Sequence, residues 1–132
     1  MTDYIREQVE ILIEKDLHVK DKVKELHSIL ENELKDNEYC YGIINNMLNF
    51  CIYPIYEEEN FWVVECLVRF VISKALKENN LKEVWSILYL IGGYEYSEIQ
   101  LHILESLQYE KELSIDNISK YYNKEQYFKK TK

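Results

Sequence analysis

The chain has 132 residues, 47% hydrophobic and 30% charged, which is one folded domain's worth and excludes a disordered chain. One proline and three glycines exclude collagen-like and low-complexity classes and point to long helices. The net charge of −8 is uneven: residues 120–132 hold five lysines against Glu125, leaving −12 on the first 119 residues, a body that repels nucleic acid and anionic lipid.

Ile5, Val9, Leu12 and Ile13 make the first helical stripe, with Thr2 or Asp3 as its cap. Val19, Val23, Leu26, Leu30 and Leu34 make the second, on a helix from Asp16 or Asp21 to about Lys35, broken at Asp36-Asn37. Cys40, Ile44, Met47, Leu48 and Cys51 make the third, ended near Tyr53 by Pro54. From Phe61 to Leu76 only Glu65, Arg69, Ser73 and Lys74 are not apolar. Glu65, Arg69 and Ser73 follow one another at i, i+4 and i+8, a narrow polar stripe on a helix that must be surrounded by protein. This is the expected central helix, with Glu57, Glu58 and Glu59 in its first turn, where the helix dipole favours negative charge.

Asn79-Asn80 closes that helix. A shorter one follows from Leu81 to Ile91, with Val84, Trp85, Leu88 and Ile91 facing inward and Gly92-Gly93 as its stop. Ser97 starts a helix to about Glu112 with Ile99, Ile103, Leu104 and Leu107 inside, and Ser114 caps a last one through Ile115, Ile118 and Tyr122. No segment alternates long enough for a strand. The pattern predicts an all-α fold of six to seven helices in antiparallel pairs: 17–35 with 39–52, 58–78 with 81–91, 97–112 with 115–124. The first helix stands alone. An irregular bundle and a short HEAT-like stack both suit this spacing. Residues 1–124 form the single helical domain, and the lysine-rich tail 125–132 frays.

Little here carries reaction chemistry. His18, His27 and His102 lack the Glu-x-x-His spacing of di-metal bundles, and HExxH, P-loop, dinucleotide and GxSxG patterns are missing from the sequence. Glu14–His18, His27–Glu31 and Glu98–His102 read as solvated helix faces. Cys40, Cys51 and Cys66 match neither a zinc site nor a redox pair and read as buried, reduced thiols. The expectation is a chain with no metal, no cofactor and no catalytic residue. The C-terminal lysines interleave with Tyr121, Tyr122, Tyr127 and Phe128 as in single-strand binders, yet the acidic body opposes a nucleic-acid partner. Residues 1–16 lack a signal-peptide pattern and the longest apolar stretch is too short to span a bilayer, so a cytoplasmic, membrane-free protein is expected.

Protein recognition remains. Twelve tyrosines is a high count, and Tyr39, Tyr41, Tyr53, Tyr56, Tyr94, Tyr96, Tyr109 and Tyr121 fall where no core stripe requires them. The expected partner-binding residues are Tyr53, Tyr56, Glu57, Glu58 and Glu59 before the central helix, and Tyr94, Glu95 and Tyr96 after the helix that follows it. Small, acidic, all-helical chains with exposed aromatics resemble the immunity proteins of bacterial toxin systems, including contact-dependent and polymorphic toxins. The resemblance implies a protein that binds a cognate toxin domain, often a basic nuclease, and occludes its active site. The alternative is a small helical-repeat adaptor or regulator that docks a cellular protein.

Overall fold

The structure, a computed structural model, describes residues 1–52, 60–92, 97–110, 113–115 and 118. Among these the fold is all α, with six α-helices and no strand. They are α1 (Thr2–Glu14), α2 (Val19–Leu34), α3 (Cys40–Ile52), α4 (Phe61–Lys77), α5 (Leu81–Gly92) and α6 (Ser97–Glu105), which runs on into a π-helical turn over Ser106–Glu110.

Local chemistry sets the boundaries. The α1 N-cap is Met1, not Thr2 or Asp3, and no side chain caps it. Lys22 closes the far end of α1: its stem is buried and its Nζ donates to the Ile13 carbonyl at 2.7 Å. Between α2 and α3, Asn37 Oδ1 accepts from the Tyr39 N–H at 2.8 Å, an Asx turn that makes the break read from Asp36-Asn37. After α4, Asn79 takes φ 55°, the left-handed conformation asparagine tolerates best after glycine. The Asn79 N–H then donates to the Leu76 carbonyl and the Asn80 N–H to the Ala75 carbonyl, which is a Schellman stop. Asn80 also starts α5, its Oδ1 accepting from the Glu83 N–H. One asparagine pair therefore ends a helix, reverses the chain and begins the next, so α4 and α5 form an antiparallel hairpin.

α4 is the centre. Every residue from Trp62 to Ile72 is buried, three continuous turns, and α2, α3, α5 and α6 all pack on it. A helix enclosed on all sides must be apolar all round, as this one nearly is. The first helix does not stand alone: α1 packs on α2 and α3, and each of those packs on α1 and α4. Shared packing on α4 makes an irregular bundle. In a HEAT-like stack each helix pair would meet only its neighbours.

Two inward assignments change: Trp85 is 67% exposed and Leu104 is also exposed, whereas Leu107 is half-buried and packs against the core. On α5, Val84, Ile87, Leu88 and Ile91 define the buried face. Trp85 points about 110° away from it, given about 100° per residue. Gly92 is the last residue of α5 and has no positive φ. A Cβ there would lie 2.1 Å from the amide nitrogen of Gln100, so a larger residue would require that side chain to shift. Leu113 and Ile118 join the core and Ile115, in a turn, packs half-buried against it, while residues 116–117 and 119–124 of the expected last helix, the tail and Glu57–Glu59 lie outside the described residues.

Candidate functional site

Two features stand out once the side chains are placed: a charged cluster inside the bundle and an apolar stripe outside it. The cluster begins with the polar stripe of α4. Glu65 and Arg69, one turn apart, have no exposed surface. Arg69 Nε donates to Glu65 Oε2 at 3.0 Å, its Nη2 to Ser106 Oγ at 3.1 Å and its Nη1 to the Ser114 carbonyl at 3.4 Å. Glu65 Oε1 lies 2.7 Å from His102 Nδ1. A carboxylate paired with arginine only accepts, so His102 carries its proton on Nδ1. His102 thus pairs across the bundle with Glu65, not along its own helix with Glu98 as expected.

This arrangement ties α4 to α6 and to the segment at Ser114. It contains the residue types of a hydrolase triad, but Ser106 is fully buried and its hydroxyl accepts from Arg69, so it serves as a clamp. The π-helical turn begins at the same serine. No group of His, Cys, Asp and Glu among the described residues has the arrangement of a metal site.

The stripe lies on α5. Leu81, Trp85 and Tyr89 recur every fourth residue, and all are exposed, Tyr89 by 86%. Tyr39 and Tyr109 are exposed as anticipated, whereas Tyr41 is half-buried and its hydroxyl donates to Glu78. On the outer face of α1, Glu7, Glu10 and Glu14 surround exposed Ile11, and none has an ion-pair partner among the described residues. A concavity of about 410 Å³ between α2 and α4 is lined by Lys35, Lys74 and Lys77 but also by Glu31, Asp36 and Glu78, so it favours neither sign.

The eight sequence-nominated residues, Tyr53, Tyr56, Glu57, Glu58, Glu59, Tyr94, Glu95 and Tyr96, lie outside the described residues. Their described neighbours are informative. Asn60 opens α4 and Gly92 ends α5, so both sit at the same end of the antiparallel hairpin. Sequence reasoning missed the α5 stripe because it counted Trp85 as core. The signal was present: Leu81, Trp85 and Tyr89 fall off the face set by Val84, Leu88 and Ile91.

Cys40 and Cys66 are free and buried. Burial pushes the Cys40 thiol up to about 11 and the Cys66 thiol well above the usual thiol range. Both should therefore react slowly with a thiol reagent in native protein and at ordinary rates in denaturant, read by mass spectrometry. Because Cys40 ionises at 9.0 when unfolded and at about 11 when folded, its contribution to stability should be lost as pH rises through that window. Denaturation midpoints measured across it test the sign.

Among the described residues no helix is long and apolar enough to cross a membrane. Compared with protein families, characterised proteins and solved structures, the chain matches none.

Proposed function

We propose that the protein is an inhibitor of the immunity type, which binds a basic toxin domain in the cytoplasm and occludes it. The α5 stripe carries this reading. Tryptophan and tyrosine are the residues on which binding energy concentrates, and leaving them in water has no benefit to the isolated fold. The partner's sign follows from charge. Two copies meeting here would bring two chains of −8 together, whereas a basic surface is drawn in by that charge and by the α1 carboxylates that lack a partner among the described residues.

The test starts with capture of a partner from the native cell, followed by binding kinetics at two salt concentrations. Trp85→Ala should speed dissociation about tenfold or more, the mark of a hot spot above about 1.4 kcal/mol. Neutralising Glu57, Glu58 and Glu59 together should slow association and flatten its salt dependence. A partner that is itself acidic, or an affinity indifferent to salt, transfers the case to the adaptor reading.

A further inference from the structure

We propose that the groove between α3, α5 and α6 receives an extended, uncharged main-chain segment of the protein partner, with Asn45 and Asn49 hydrogen-bonding its peptide groups. This rests on the protein-binding reading above and names the part of the partner that the flank of α5 takes. The groove encloses about 810 Å³ between Asn45 and Asn49 of α3, Ser86, Tyr89 and Leu90 of α5, and Gln100 of α6. None of its described lining residues is charged, in a chain that is 30% charged. A charged ligand finds no counter-charge among them, and a wholly apolar one strands the two amides without a partner among the described residues.

A peptide group suits it. The group is neutral and has one donor and one acceptor, and a primary amide supplies the complement of both. Asn45 and Asn49 stand one turn apart, about 6 Å along α3 at about 1.5 Å per residue. Alternate residues of an extended chain repeat at about 6.6 Å. The two amides therefore meet successive peptide groups on one side of an extended segment. Neither asparagine side chain hydrogen-bonds another described residue. Gln100 is held in place, its Nε2 donating to the Leu88 carbonyl at 2.8 Å, which leaves its Oε1 to accept. Tyr89 belongs both to this groove and to the stripe, so a segment lying here continues the surface that covers Trp85.

The probe is a library of random linear twelve-residue peptides displayed on phage and panned against the full chain. Enriched peptides should bind the wild type and lose tenfold or more on the Asn45→Ala/Asn49→Ala variant. They should also shift the side-chain amide resonances of Asn45 and Asn49. Thermal melts of the variant should match the wild type, since neither side chain bonds another described residue; Asn49→Asp, which keeps the shape and replaces the amide donor with a charge, should bind as poorly. Failure of any peptide to enrich, or peptides that keep their affinity for a folded double variant, overturns the proposal. So does loss of folding in both variants, which would place the asparagines in the fold itself. The broader reading stands or falls separately, on whether Trp85→Ala releases the captured partner.

Discussion

Glu65→Ala should lower the unfolding free energy by about 3–5 kcal/mol, the range for breaking a buried ion pair from one side. The cause is what remains. Arg69 has no exposed surface, and without the carboxylate its charge stays in the bundle with, among the described residues, the Ser106 hydroxyl and the Ser114 carbonyl as acceptors. Chemical denaturation followed by helical circular dichroism measures the loss. Removing both charges tells a different story: Glu65→Leu with Arg69→Met should recover most of the stability, because apolar side chains of similar volume replace a buried pair at little or no cost. A small loss for Glu65→Ala, or a double variant as weak as the single one, contradicts this account. The His102 side chain is 20% exposed and so retains access to water in either variant.

The two tryptophans should separate cleanly. Trp62→Ala should cost about 3–5 kcal/mol, since it empties a large volume inside a packed core. Trp85→Ala should change stability by no more than about 0.5 kcal/mol, because its ring already faces water. Denaturation curves give both values, and fluorescence reports the same division. The Trp62→Ala protein should emit like an indole in water, and the Trp85→Ala protein should emit at shorter wavelength. Equal costs for the two substitutions would mean that Trp85 packs against the fold.

The contrast shows where sequence was informative. The enclosed helix was legible because its composition admits nothing else: an apolar run with a single narrow polar stripe has to be buried. The turns were legible as well, since Asp36-Asn37 and Asn79-Asn80 offer the local hydrogen bonds, and Asn79 the left-handed backbone, that a helix stop needs. Two things were not. Sequence showed the spacing of Glu65 and Arg69 but not that the stripe turns inward, because its partners, His102 and Ser106, lie 37 residues away along the chain. Periodicity assigns a face to a residue, not the element opposite it. Trp85 failed for another reason: hydrophobicity outweighed phase, and a large apolar residue adjacent to a core stripe was counted into it. The interface residues chosen from tyrosine and glutamate content fall between the apolar stripes of the sequence, where no periodicity exists to test the choice.

The complete enclosure of α4 has a consequence during synthesis. Only part of its sheath, α2 and α3, is made when it leaves the ribosome: α5, α6 and the residues up to Ile118 are still to come. At about 5–20 residues per second, the helix waits for its cover on the order of seconds. A half-covered helix of that composition invites aggregation or capture by a chaperone. Glu65 and Arg69 are its two innermost charges, and until His102 and Ser106 arrive they stand in water. The same pair that clamps the finished bundle keeps its nascent centre hydrated.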